Sequence, residues 1–431
     1  AERAAALANP PCATASQDAQ VARLILRIAC KLTSWGVAAV ASQDMDDLLA
    51  AFGLGRAITL GTATIVSVGA LFTAPLAAGP PALPPEASGE QIYRAACATC
   101  HGLDGTGATR DTVGFALPLP NGHGFPDFTD CATNTVEPLS DWVAVAARGG
   151  PVRALDRHMP AFGEALSVEQ LERAVRHLWT FCTDASWPRG DLNLPRAFFT
   201  EKAFPENETV WTTGVTGAGQ KAVTNELVYE HRIGARGQYE VKVPFSAQQS
   251  EAGGWNRGIG DVEVAVRRTL YASHERGSIF AAGGAVTFPT GKETAGLGNG
   301  YTVVEPFAMW GQTLGRNGFL QLHSALEIPT DQEEGRNEGF LRTALGYTFS
   351  QDRGFGRAWS PMTEVIVAKP KGGATEWDVV PQVQVSLSRL QHVLLSAGVR
   401  VPLNERQDRK PELLTYVLWD WFDGGLFQFW K

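Results

Sequence analysis

From about residue 207 onward the chain alternates apolar and polar side chains in segments of roughly ten residues, the period of a strand with one buried and one exposed face. Over 238–245, Tyr239, Val241, Val243 and Phe245 share one face, and Gln238, Glu240 and Lys242 the other. Val262, Val264 and Val266 oppose Asp261, Glu263 and Ala265; Val383, Val385 and Leu387 oppose Gln382, Gln384, Ser386 and Ser388. Val393, Leu395, Val399, Val401 and Leu403 again take one side. The pattern predicts about twelve strands, near 207–217, 222–233, 238–247, 259–272, 278–289, 301–313, 319–329, 338–349, 359–369, 376–388, 392–403 and 412–423.

A soluble sandwich alternates in the same way, so the connections carry the distinction. Those after even-numbered strands are mostly short (234–237, 273–277, 314–318 and 389–391, with 351–358 looser). Those after odd-numbered strands are mostly longer (248–258, 290–300, 330–337, 370–375 and 404–411, with a tight 218–221). Short turns on one rim and long loops on the other suit an antiparallel transmembrane β-barrel. Trp211, Tyr229, Tyr271, Trp310, Tyr347, Trp359, Trp377, Tyr416 and Trp419 lie near strand ends, as interfacial aromatic girdles require. Glu263, Gln321, His323, Gln382 and Gln384 fall on the lumen side, where they line a polar path or hydrate the interior. Asp331, Glu333 and Glu334 sit in a predicted outer loop and read as a solvated charge run, with calcium binding the alternative.

The pattern changes upstream of residue 184. Ser88–Gln91 and Ser167–Gln170 have the spacing of capping boxes, each opening a helix. Ile92 and Tyr93 face one way on the first, and Val168, Leu171, Ala174, Val175 and Leu178 on the second. The first helix leads into Cys97-Ala-Thr-Cys100-His101, a C-x-x-C-H sequence. Two thiols one helical turn apart add to the two vinyl groups of a porphyrin, and the adjacent histidine then lies under the iron. A zinc half-site would need a second close Cys/His pair, and a thioredoxin-like pair a βαβ context.

Helix, C-x-x-C-H, a long irregular loop, Met159-Pro160 and a final amphipathic helix together resemble a class I c-type cytochrome over 86–184. The resemblance implies one covalent haem c on Cys97 and Cys100, with His101 and Met159 as axial ligands, and electron transfer rather than oxygen chemistry. His123 and His158 are the competing ligands, and Arg148 and Arg153 are candidates for the propionates, or else surface arginines. Cys131 and Cys182 are expected to form a disulfide in an oxidising compartment, two buried thiols being the alternative. Gly-Ile-Gly-Asp261-Val-Glu-Val and Ala-Val-Thr-Phe-Pro-Thr-Gly291 resemble outer-membrane channels linked to phenol degradation. Leu-Phe-Gln-Phe-Trp430-Lys431 resembles an outer-membrane assembly signal, departing from it in the terminal Lys431.

Composition agrees with this reading. Only 19% of the 431 residues are charged, and the net charge of −8 gives no basic field for nucleic acid. The one long apolar stretch, 57–76, follows Met45 and Arg56 and reads as a secretory signal or an uncleaved anchor. Residues 1–44 are then upstream sequence or an extension, with no role for Cys12 and Cys30.

The expected organisation is an N-terminal extension with a signal segment over 1–80, a small all-α cytochrome domain over 86–184, and a transmembrane β-barrel over 195–431. With an even strand number both barrel ends lie on the short-turn side, so the cytochrome is expected in the periplasm, beneath the barrel or partly plugging it. The expected function is electron exchange with a periplasmic redox protein or small redox molecule from an anchor in outer-membrane lipid. The alternative is a channel for a small solute or metal, with the haem domain as its gate or redox processor.

Overall fold

The computed structural model describes residues 83–107, 125–217, 219, 221–250, 253–350, 356–407 and 409–420. The signal segment, His123 and the terminal aromatic sequence lie outside these residues.

The helical part holds α1 (Gly89–Ala96), α2 (Ala98–His101), α3 (Cys131–Asn134), α4 (Leu139–Arg148) and α5 (Val168–Leu178). Both capping boxes form. Ser88 and Gln91 bond reciprocally at 3.2 and 2.8 Å, and Ser167 and Gln170 at 3.3 and 2.9 Å, which satisfies N–H groups the helices leave open. Ile92 and Tyr93 of α1 pack on Leu171, Val175 and Leu178 of α5, with Val143 and Ala147 of α4 closing the core. The α1–α5 crossing is close because Gly89 has no side chain: a Cβ there would lie 2.1 Å from the Arg173 carbonyl oxygen. Cys131 and Cys182 are bonded, with Cα atoms 5.0 Å apart, and tie α3 to the chain just after α5. The bridge closes a loop across 51 positions, so its removal is expected to cost about 4 kcal/mol by the loop-entropy relation. Urea unfolding of Cys131→Ser/Cys182→Ser, followed by near-ultraviolet circular dichroism, checks this.

The rest is one closed antiparallel sheet: β1 (Glu208–Thr216), β2 (Ala222–Ile233), β3 (Gly237–Gln249), β4 (Trp255–Ile259), β5 (Val262–Ser273), β6 (Ser278–Phe288), β7 (Val303–Leu314), β8 (Gly318–Pro329), β9 (Glu338–Tyr347), β10 (Phe349–Ser350), β11 (Ala358–Pro370), β12 (Glu376–Ser386), β13 (Val393–Pro402) and β14 (Glu412–Asp420). β4 and β5 both pair with β3 and make one stave broken at Gly260 and Asp261, while β9 and β10 make another broken at Thr348. The fourteen strands are therefore twelve staves. β14 pairs with β1 from Glu208↔Asp420 to Val215↔Leu413, which closes the described strands into a barrel. Apolar side chains such as Leu227, Val266, Leu270, Leu341 and Leu413 stand exposed on the outer face, the surface that lipid would cover.

Two expectations are corrected. The long loop 248–258 contains β4, which continues the ladder because Gln248 and Gln249 pair with Asn256 and Trp255. Tyr416 does not join the outer girdle: it is 2% exposed and donates its hydroxyl inward to the Arg196 carbonyl at 2.6 Å. Trp211, Tyr271 and Tyr347 do face outward.

The helical domain sits against the short-turn rim. Arg236 donates to the Ser186 carbonyl at 2.7 Å, Trp179 meets His274 edge-on at 5.4 Å, and His392 Nε2 lies 2.8 Å from Glu137. From this rim, residues 192–207 enter the lumen and return to β1. This stretch reads from sequence as linker and barrel start, and it is instead a re-entrant segment inside the barrel.

Candidate functional site

The C-x-x-C-H sequence bridges two helices. Cys97 ends α1, donating its N–H to Tyr93, and begins α2, which carries Cys100 and His101 one turn on. Tyr93 Oη donates to the Gly102 carbonyl at 2.8 Å and fixes the end of α2. Cys97 and Cys100 are both unbonded thiols. Burial pushes the Cys97 thiol up to about 11, helped by Cys100, and raises Cys100 as well. Burial also holds the His101 imidazole neutral, with its pKa down to about 4.

The His101 ring lies 4.8 Å from Phe128 and 5.9 Å from Phe125, centroid to centroid, and Phe128 packs edge-on against Trp142. Its Nδ1 is buried and has no hydrogen-bond partner among the described residues. A neutral imidazole and two unpaired thiols against an aromatic wall form a donor set that suits a covalently attached porphyrin. Among the described residues no three His, Cys, Asp or Glu side chains gather to hold a bare metal ion.

Met159 lies in the loop that follows α4 and the 3₁₀ turn Gly150–Arg153. Its carbonyl accepts from Gly150 N–H at 3.0 Å. Gly149, at φ +81°, makes this approach feasible, since a Cβ would lie 2.8 Å from the same oxygen. His158 Nδ1 is 2.7 Å from Asp156, and hydrogen bonds from His158 help hold the Asp156 carboxyl below its usual range. Arg153 is buried and bonds Asp141 at 2.7 Å, so this candidate propionate partner is occupied by a carboxylate of its own domain. In the loop between β8 and β9, Asp331 accepts from the N–H groups of Glu333 and Glu334 at 2.9 and 3.2 Å.

A second constellation, unread in the sequence, fills the lumen. Arg196 of the re-entrant segment bonds Glu208 at 2.5 Å and Glu230 at 2.6 Å. Lys202 pairs with Glu206 and, at 3.2 Å, with Glu208. Glu201 pairs with Lys242, and Arg267 joins Glu230 at 3.3 Å and Gln238 at 2.8 Å. Glu364 accepts from the N–H groups of Phe198, Phe199 and Thr200 at 2.9, 3.0 and 2.7 Å, and from the Thr200 hydroxyl at 2.8 Å. The expected lumen residues face the same interior: Glu263 bonds Lys242, Gln321 donates to the Pro195 carbonyl, His323 stands between Phe307 and Phe340, Gln382 reaches Glu364, and Gln384 reaches Tyr416. The available signal was two isolated cations, Arg196 and Lys202, in a Pro- and Phe-rich stretch facing strands with inward glutamates.

Residues 84–178 match the family described as cytochrome c oxidase, cbb3-type, subunit III. This stretch is a cytochrome c-type domain, and such a domain implies haem. No curated protein matches the chain. Among solved structures it is similar to the KdgM porin (11% identity, TM-score 0.35, covering 50% of this chain and 99% of that one). It is also similar to the NanC porin (10%, 0.35, 49% and 98%) and to an outer membrane channel from Pseudomonas putida F1 (13%, 0.37, 52% and 99%). The β1–β14 pairing makes this chain a closed porin-like barrel in its own right, an architecture that points to the outer membrane.

Proposed function

We propose that the chain is an electron-transfer protein, a monohaem cytochrome c anchored at the outer membrane by its barrel. The observation that carries this reading is the α1–α2 junction, where two unbonded thiols and a buried neutral imidazole meet inside a cytochrome c-type domain. Cys97 and Cys100 would hold the porphyrin by thioether bonds, and His101 and Met159 would ligate its iron. When bound, the haem iron supplies a one-electron couple. Phe125, Phe128 and Trp142 keep water from the His101 imidazole, and ligation by a thioether and an imidazole would favour a raised reduction potential.

The short-turn rim of such barrels faces the periplasm, which supports a periplasmic cytochrome domain. One haem there is separated from the cell exterior by an apolar band about 25 Å tall, so its partner is a periplasmic redox protein or a small redox molecule.

The test is the visible spectrum of the purified full chain through a redox cycle. A low-spin ferric spectrum with a methionine–iron charge-transfer band, and reversible one-electron reduction, is the expected result. A high-spin ferric spectrum with carbon monoxide binding would indicate an open haem position and an enzyme instead. Met159→Ala is expected to remove the charge-transfer band and to let the ferrous protein bind carbon monoxide, while leaving covalent haem in place.

A further inference from the structure

We propose that the cavity between the helical domain and the short-turn rim binds a small organic carboxylate with an apolar body. This goes beyond the redox reading and uses no haem ligand. The cavity holds about 450 Å³, within the roughly 300–1,000 Å³ of small-molecule sites. One wall comes from the end of α5 and the chain that follows it, and the other from Ala272 and His274 at the β5–β6 turn.

This rim is short of negative charge. Arg176, Arg189, Arg232 and Arg236 gather there, and none makes an ion pair with a carboxylate among the described residues. Arg176 and Arg189 line the cavity and lie over the Trp179 ring at 5.8 and 4.9 Å. Arg232 lies 4.5 Å over the ring of Trp187, another wall residue, and Arg236 donates to the Ser186 carbonyl. Their bonds go to neutral partners. Arg176 meets His274 Nε2 at 3.3 Å, and Arg189 donates to Asn134 Oδ1 at 2.8 Å and the Trp179 carbonyl at 2.9 Å. Arg232 donates to the Gly234 and Ala235 carbonyls at 3.1 and 2.6 Å. Burial lowers the Arg189 pKa, with Asp191 opposing the shift. The other deeply buried arginines among the described residues each hold a carboxylate: Arg153 has Asp141, Arg196 has Glu208 and Glu230, and Arg267 has Glu230. Arg232 is buried as deeply without one. A buried charge is costly without a counter-charge, so this departure marks a place for an anion.

Two buried donors are unused as well. Trp179 is 6% exposed, and its Nε1 has no hydrogen-bond partner among the described residues; the same holds for Nη1 of Arg232. Buried donors are rarely left so, and a carboxylate can accept from a guanidinium and an indole N–H together. The carboxylates beside the cavity are Asp184 and Asp191. Asp184 is exposed and accepts the Ser186 N–H at 2.9 Å, while Asp191 stands 3.8 Å from His274. Two carboxylates against four guanidinium groups leave an excess of positive charge, to which His274 adds when protonated. Trp187, Pro188, Leu192 and Ala272 form the apolar part of the wall. An inorganic anion would leave that surface wet, whereas an apolar body covers it.

The experiment is isothermal titration calorimetry of the full haem-loaded chain in detergent with benzoate, the neutral benzamide and inorganic phosphate as probes. Benzoate is expected to bind at one site per chain, roughly tenfold or more tighter than either of the others, the factor for one hydrogen bond to a charged group. The visible haem spectrum should not change, which separates the cavity from the iron. Arg176→Gln and Trp179→Phe each remove one donor and keep most of the side-chain shape, and each is expected to weaken benzoate by roughly tenfold. Haem stain and heat-modifiable gel migration confirm that each variant is folded. If Trp179→Phe does not fold, Arg176→Gln decides. No binding of benzoate, equal binding of benzamide, tighter binding of phosphate, or full benzoate affinity in folded Arg176→Gln overturns the inference. None of these results bears on haem attachment.

Discussion

Replacing Cys97 and Cys100 together by serine is expected to abolish covalent haem completely: the denatured chain should run as a band with no haem stain. The two thiols lie one turn apart across the α1–α2 junction and are the unbonded cysteines of the domain, since Cys131 and Cys182 are already paired. Serine cannot form the thioether. His101 would remain in place but would hold a porphyrin only through a reversible bond, which denaturant breaks. Either single replacement should retain some stain through the surviving sulfur. The barrel should be unaffected, because its contacts with the helical domain run through Glu137, Trp179 and Ser186 rather than the motif. Haem stain and heat-modifiable migration read on one gel separate the two effects.

The second large effect is expected at Glu230. Its carboxylate is fully buried and serves Arg196 at 2.6 Å and Arg267 at 3.3 Å. Glu230→Ala leaves two buried guanidinium groups without a shared counter-charge. Breaking a buried pair by removing one partner costs about 3–5 kcal/mol. Urea titration in detergent, followed by loss of the fast-migrating folded band, should show a lower midpoint with an unchanged slope. Glu333→Ala, in the exposed loop between β8 and β9, is the control and should change stability by no more than about 0.5 kcal/mol.

The barrel was legible in the sequence because a two-residue period is a strong signal when one face meets lipid and the other a polar interior. Gln238, Glu240 and Lys242 against Tyr239, Val241 and Val243 encode both the strand and its facing: Gln238 and Glu240 are buried inward. The signal weakens where that period is interrupted. Asn256 and Arg257 obscure β4, and Tyr416, an aromatic type that suggests the girdle, lies between inward Leu414 and Leu418 and shares their facing. The cytochrome domain was legible because its chemistry is local, five consecutive residues behind a capped helix.

The re-entrant segment was not legible. With Pro195 and Pro205 it has no helix or strand period, and its partners lie far away in sequence, Glu230 being 34 positions from Arg196 and Glu364 being 164 from Thr200. Such pairings are set by closure of the barrel around the segment, and no local pattern encodes them.

The central claim is that one chain carries both a covalent haem and a membrane barrel. Its most direct test is outer-membrane material run on denaturing gels with and without boiling, then stained for haem. The expected result is a single haem-positive band that migrates faster unboiled and shifts on boiling. A haem-positive band that migrates alike in both lanes and comes from the soluble fraction, or a heat-shifted band without haem, would contradict the claim.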